Sequence, residues 1–275
     1  GRDGNEPGGP PRTGRGRGVG GEQVEGRQAV RELLVAGRRR VREVFLAAEL
    51  DDADILADIR ELCDARRVPL REVGRTRFDT LTATQSAQGV LARADELPEH
   101  SLEDLIRARR GGPAPFLVAL DGVTDPGNLG ALLRSAEGSG VSGVILPRHR
   151  AVHVTPAVTK AAAGAVEYVR IGLVGGLPTA INQLNDAGVW TIGLDGAAPA
   201  SLYSLPLDDQ PVCLVLGAEG KGLSRLVRER CAQLAAIPLG GRLNSLNVSA
   251  AAAVACFEIA RQRQQDRPAA TEAPV

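Results

Sequence analysis

Residues 237–260, IPLGGRLNSLNVSAAAAVACFEIA, hold the densest set of groups in the chain able to meet a small molecule. A strand end at Ala235, Ala236 and Ile237 runs through a glycine-rich turn into Asn244, Ser245 and Asn247, and an alanine-rich helix follows at once. Amides and hydroxyls wedged between a strand and a helix start are costly to bury unless they hydrogen-bond something. Helix N-termini also gather free backbone N–H groups. The stretch therefore reads as a ligand site.

The elements that must position it form a regular alternation. Apolar runs at 116–120 (FLVAL), 143–146, 190–194 (WTIGL), 212–216 (VCLVL) and 234–238 read as strands. Helical spacing covers 129–138, 158–165, 178–187, 223–231 and 245–263. Continuous apolar strands separated by helices imply an open parallel sheet covered on both faces. Ligands in such sheets sit beyond the carboxyl ends of the strands. Three polar loops occupy that position: 121–128, 217–222 and 239–247. One pocket is expected where they converge.

Nucleotide-hydrolysis and protease motifs fail there. GAEGKGL lacks the phosphate-loop spacing and carries Gly222 where a Ser or Thr must hold magnesium. The three histidines, His100, His149 and His153, lie outside the loops, so no Ser-His-Asp set forms. His149 and His153 have no third ligand nearby, so no metal is expected. The loops instead offer amides, a carboxylate, hydroxyls and glycines that let backbone approach closely. That lining suits an adenosine-bearing cofactor. Arg134 emerges from an apolar stretch beside the expected pocket, and its six-residue spacing from Asn128 is expected to place both on nearly one helical face.

Upstream the pattern changes. Residues 1–20 are Gly, Pro and Arg and are expected to be a disordered tail, truncated or processed because it lacks an initiator Met. Residues 21–97 form a compact α/β module, with helices over 27–36 and 51–67 and strands over 41–47, 68–73 and 88–94. The second helix is expected to turn Ile55, Ile59 and Leu62 inward. The Gly/Pro/Arg-containing stretch 98–115 reads as a linker, 116–265 as the second domain, and 266–275 as a disordered tail. Lys+Arg and Asp+Glu balance at 33 each, so net charge does not select a nucleic-acid partner. Four scattered cysteines without a C-x-x-C pair read as reduced core residues, and the chain as soluble and cytoplasmic.

The three loops resemble the three motifs of the SpoU (TrmH) family of RNA ribose 2′-O-methyltransferases, in the SPOUT superfamily. The motifs are LDGVTDPGNLGALLRSAEGSGV (120–141), LVLGAEGKGLS (214–224) and IPLGGRLNSLNVSAAAAV (237–254), with TKAAAGAVEYV (159–169) between the first two. Leu239 stands where many members carry Met, a swap of similar volume. The resemblance implies a trefoil-knotted α/β catalytic domain working as a homodimer. It implies S-adenosylmethionine as cofactor, met by Gly217, Ile237 and Leu246. It assigns polar or catalytic work to Asn128, Arg134, Glu219, Ser245 and Asn247. The first module resembles the ribosomal-protein-L30e-like RNA-binding domain of members that act on large-subunit ribosomal RNA. The activity so implied is methylation of a ribose 2′-OH, on a guanosine of 23S ribosomal RNA. Transfer RNA as substrate and a catalytically silent RNA-binding assembly protein stay open as alternatives.

Overall fold

The computed structural model describes residues 18–51, 53–107, 111–149, 153–208, 210–242 and 245–265. Two sheets organise the chain. In the first, β1 (Gln23–Glu25), β2 (Val41–Ala47), β3 (Leu70–Val73) and β4 (Val90–Ala94) take the order β1-β4-β2-β3, with β2 parallel to β3 and antiparallel to β4. Helix α1 (Arg27–Ala36) is bounded by two left-handed glycines, Gly26 and Gly37, and buries Ala29, Val30, Leu33 and Leu34 at helical spacing. Helix α2 (Asp54–Arg66) buries Leu56, Ile59 and Cys63, whereas Ile55 and Leu62 are only partly covered. The inward stripe is thus rotated from the expected Ile55–Ile59–Leu62 line. Cys63 supplies the missing apolar position. A third helix, α3 (Arg75–Leu81), buries Phe78 alone.

The second sheet is wholly parallel, as the alternation of strands and helices required. Its strands are β5 (Phe116–Asp121), β6 (Gly143–Pro147), β7 (Ile171–Val174), β8 (Trp190–Leu194), β9 (Val212–Gly217) and β10 (Gln233–Ala235), in the order β10-β8-β9-β5-β6-β7. The intervening helices are α4 (Leu102–Ile106), α5 (Pro126–Gly138), α6 (Pro156–Ala161), α7 (Leu177–Asp186), α8 (Arg225–Arg230) and α9 (Val248–Gln265).

The pleat explains the two faces. Phe116, Val118 and Leu120 pack with residues of α5, α6 and α9, while the alternate Leu117 and Ala119 pack with α4, α7 and α8. Every side chain of β5 from Phe116 to Leu120 is therefore buried. Of the cysteines, Cys63, Cys213 and Cys256 are buried and all four are free. Desolvation pushes the Cys63 thiol up to about 11 and those of Cys231 and Cys256 to about 12, which removes thiolate chemistry near neutral pH.

Two expectations about segment boundaries need correction. Val19, assigned to the tail, is buried at 1% exposure in the second core and its carbonyl accepts from the Val154 N–H at 3.0 Å. His153 holds the same segment, with one ring nitrogen 2.8 Å from the Gly18 carbonyl and the other 3.1 Å from that of Arg148. The rest of both tails, 1–17 and 266–275, lies outside the described residues. The stretch 98–115 is also more than a tether. It forms α4, capped by the Ser101 hydroxyl at the Asp104 N–H, and Leu105 is fully buried against the parallel sheet.

The two sheets meet in a tight seam. Arg39 makes a two-pronged ion pair with Glu167 at 2.6 and 3.0 Å, the side chains being 4% and 1% exposed. The same guanidinium donates to the Gly21 and Asp95 carbonyls. Tyr168 donates its hydroxyl to Glu32 at 2.8 Å, and a Cβ at Gly164 would lie 2.3 Å from that of Glu32. Backbone from one unit thus approaches side chains of the other as closely as glycine permits.

Candidate functional site

Strand β9 ends at Gly217, where an added Cβ would lie 2.0 Å from the Gly222 carbonyl carbon. Glycine is required because the following turn folds straight back, with the Gly222 N–H donating to the Ala218 carbonyl at 2.8 Å. Asp121, at the end of the neighbouring β5, accepts from the Ser224 N–H at 2.6 Å and ties the first loop to the second. Asp125 then caps α5, accepting from the Asn128 N–H at 2.7 Å, with Pro126 at the first helical position. These contacts set Asn128 at the mouth of the loops.

Asn247 is the hub of the site. Its Oδ1 accepts from the Ser249 N–H at 2.9 Å and from the Ser249 hydroxyl at 2.6 Å, capping the 18-residue α9. Its Nδ2 donates to Asn128 Oδ1 at 3.0 Å and to Glu219 Oε2 at 3.3 Å. One amide therefore joins the loops after β5, β9 and β10. The cost of polar groups between strand and helix is met by this network.

Beside the hub lies a cleft of about 320 Å³, lined among others by Gly217, Glu219, Ile237, Ser245 and Leu246. Leu239 and Leu246 are each 39% exposed, which leaves apolar side chains facing the cavity. Such a volume lies within the range of ~300–1,000 Å³ usual for small-molecule sites. The donor set fits the cofactor implied by the resemblance. The glycine-rich turn 217–222 brings backbone to the cavity wall within reach of an adenosine, the leucines and Ile237 offer apolar walls, and Glu219 offers an acceptor beside a cationic sulfonium. Among the described residues no group of three metal-ligating side chains occurs.

The sequence-predicted residues thus divide. Asn128, Glu219 and Asn247 are joined by hydrogen bonds, and Gly217, Ile237, Ser245 and Leu246 share the cleft with Glu219. Arg134 does not join them. It is exposed on α5, outside the cleft lining, with no hydrogen bond or ion pair among the described residues. The assumption that it shares a face with Asn128 is wrong on helix geometry. Six residues at 3.6 per turn rotate the side chain by about 120°, and carry it ~9 Å along the axis. Arg134 instead follows Gly130, about 40° away, whose Cβ position would meet the Ala161 Cβ of α6 at 2.4 Å.

Three contributors escaped the sequence reading. Asp195 and Gly196, directly after β8, line the cleft. Asp195 is held by Arg228 at 2.9 Å and accepts from the Ala197 N–H. Its position at the end of a parallel strand was the available signal. Lys221, exposed and without a partner among the described residues, also lines the cavity.

Comparison with known proteins follows the same division. Residues 115–257 match the SpoU rRNA Methylase family, and residues 23–100 match the RNA 2′-O ribose methyltransferase substrate-binding family. The 23S rRNA (guanosine-2′-O-)-methyltransferase RlmB of Pseudomonas aeruginosa is 40% identical over 245 residues, covering 88% of this chain and 97% of its own. The SpoU methyltransferase AviRb from Streptomyces viridochromogenes, solved with the cofactor AdoMet, superposes with a TM-score of 0.72 at 26% identity, over 88% of this chain and 90% of that one. An AdoMet-bound rRNA methyltransferase from Sinorhizobium meliloti gives 0.69 at 26%, over 87% and 86%.

Proposed function

Because this chain belongs to the SpoU rRNA methylase family, we propose that it transfers the methyl group of S-adenosylmethionine to the ribose 2′-OH of a guanosine in 23S ribosomal RNA. The observation that carries the reading is the Asn128–Asn247–Glu219 network at the mouth of a glycine-lined cleft. Bound in that cleft, the cofactor supplies a methyl group already attached to a good leaving group. The protein has then to align the ribose oxygen and help remove its proton.

Gly217, Ile237 and Leu246 hold the cofactor, chiefly through backbone and apolar contact. Ser245 and Asn247 face the reacting ends. Asn128 and Glu219 fix Asn247. Arg134 is a poor base, since a guanidinium keeps its proton at any ordinary pH. Its exposed, unengaged guanidinium suits a bidentate grip on the phosphate next to the target ribose. That grip favours the oxyanion electrostatically.

Residues 21–97 act as the substrate reader, an L30e-like module attached through 98–115 to the catalytic unit 116–265. The match of residues 23–100 to a substrate-binding family supports this role, and the similarity to a 23S rRNA methyltransferase favours ribosomal over transfer RNA. A trefoil knot is the further reading of the catalytic unit. The chain reaches edge strand β10, passes the loops after β8 and β9, and returns as α9 to pack on α5. A second copy would cover the apolar patch of Tyr203, Val254 and Phe257, exposed on and beside α9. Work on ribosomal RNA supports a cytoplasmic location. Among the described residues no helix is long and apolar enough to cross a membrane.

The test is to map 2′-O-methylation across ribosomal and transfer RNA in a strain lacking the gene. One guanosine of 23S rRNA should lose its methyl. Loss confined to transfer RNA, or no loss anywhere, would reject the assignment.

A further inference from the structure

Two adjacent arginines follow α1 into the seam, and the fold uses them differently. Arg39 is spent, its guanidinium saturated by the Glu167 carboxylate and two carbonyls. Arg38 is not. It lies over the Tyr168 ring, 5.3 Å from the centroid, and donates to the Tyr168 carbonyl at 3.4 Å, beyond the usual ~2.7–3.2 Å of a firm N–H···O bond. Its remaining donors have no partner among the described residues.

Between these arginines and the parallel sheet lies a cavity of about 210 Å³. Leu97, Val166, Val169 and Ile171 give it buried apolar walls, and His100 and Arg170 supply its polar side. Arg170 is fixed by donating to the Ser142 carbonyl at 3.0 Å and the Asp104 carbonyl at 2.9 Å. His100 is tied to the wall by its backbone N–H, which donates to the Ile171 carbonyl at 2.9 Å, while its ring makes no hydrogen bond among the described residues.

The charged groups around that ring are Arg38 and Arg39 from the small unit, Glu167 and Arg170 from the catalytic unit, and Asp104 from α4. Glu167 is neutralised by Arg39, and Glu99, next to His100 in the chain, is paired with Arg148. Asp104 accepts from the Ser101 hydroxyl at 2.9 Å and lies 3.7 Å from Arg107. Positive charge therefore prevails in the cavity, and apolar walls focus its field. The lowered pKa of His100 reflects it, through desolvation first and Arg170 second. The volume falls below the ~300 Å³ at which small-molecule sites usually begin, so it suits an ion and not a nucleoside. A guanidinium fork opposite an imidazole is a donor set for a tetrahedral oxyanion.

We propose that the seam cavity binds one small free oxyanion of the phosphate class, held between the Arg38 guanidinium and the His100 imidazole. The ion clamps the two units together, since Arg38 belongs to the first and His100 is tied to β7 of the second. An anion beside the ring favours the imidazolium, so binding tightens as pH falls through the ordinary histidine range. The site shares no residue with the methyl-donor cleft.

The test is thermal unfolding of the full chain against sulfate, whose charge is constant near neutral pH, with phosphate as a second probe and chloride at matched ionic strength as the control. An ion that binds the folded chain raises Tm in a saturable way. The wild-type Tm should rise with sulfate and phosphate and not with chloride. Affinity for sulfate should be about tenfold higher at about pH 6 than at about pH 8, the equivalent of one pKa unit. Arg38→Gln, at an exposed position, should weaken binding about tenfold, the scale of one charge-assisted hydrogen bond. His100→Gln should remove the pH dependence. Lys221→Gln, which takes a cation from the methyl-donor cleft, should change neither. Equal rises in chloride, wild-type behaviour in both Arg38→Gln and His100→Gln, or loss of binding in Lys221→Gln would overturn the seam site. Displacement of sulfate by a 5′-phosphorylated dinucleotide and not by its 5′-hydroxyl form would overturn a free ion in favour of an RNA end.

Discussion

The mouth of the cleft and the seam between the two units use the same side-chain chemistry under opposite conditions. In the seam, Arg39 and Glu167 are almost wholly buried, and three acceptor groups, the carboxylate and two carbonyls, surround the guanidinium. At the cleft, Asn128, Glu219 and Asn247 touch at their edges, while Arg134 and Lys221 keep their cations free among the described residues. Saturated charges hold architecture and unsaturated ones wait for a ligand. Disrupting the seam should therefore cost stability, and disrupting the cleft should cost chemistry.

The largest effect is expected at the seam. Glu167→Ala strands a buried guanidinium, and removing one partner of such a pair typically costs about 3–5 kcal/mol. Urea unfolding should register that loss, and a stability equal to wild type would show that the seam is not closed in solution. Next comes Arg134→Ala. Single-turnover methyl transfer should fall at least 100-fold, roughly 2.7 kcal/mol of barrier, with cofactor affinity from calorimetry nearly unchanged. Lost binding with normal turnover of the bound fraction would remove Arg134 from the chemistry.

Asn247→Ala straddles the comparison, because this residue both caps α9 and joins three loops. Loss of the cap should cost ~1 kcal/mol, and cofactor affinity should weaken as well; Asn247→Asp should restore the cap but not the donor contacts to Asn128 and Glu219. The smallest effect concerns His100, beside the seam, whose pKa is lowered by desolvation and by Arg170. A histidine held neutral by the fold binds fewer protons than in the unfolded chain, so stability should fall as pH drops below about 6.5. His100→Gln should flatten that limb of the pH–stability curve.

How much of this was legible in the sequence follows from how local each signal is. Helix α1 matched to the residue because Gly26 and Gly37 punctuate it and four apolar residues share its inner face. The place of the cleft was legible because loops at strand ends in a parallel sheet converge by rule, whereas its residues Gly217, Glu219, Ile237 and Leu246 were legible only through the resemblance of their motifs to a known family. Helix α3 was missed because only Phe78 of its seven residues is buried, so it carries no stripe. The short β1 and β7 lack enough residues to show a period. The seam was invisible: Arg39 and Glu167 lie 128 positions apart, and only the fold brings them together. The pairing of Arg134 with Asn128 failed differently, through a rotation that helix geometry could have supplied.

The central claim is that the cleft serves methyl transfer to a ribose oxygen, on RNA presented by the small unit. Its most direct test is to incubate the full chain with unmethylated 23S rRNA and isotope-labelled S-adenosylmethionine, digest the RNA, and identify the labelled nucleoside by mass spectrometry. The account predicts 2′-O-methylguanosine at a single position. Label on a base, on another nucleoside, or nowhere in the RNA would contradict it.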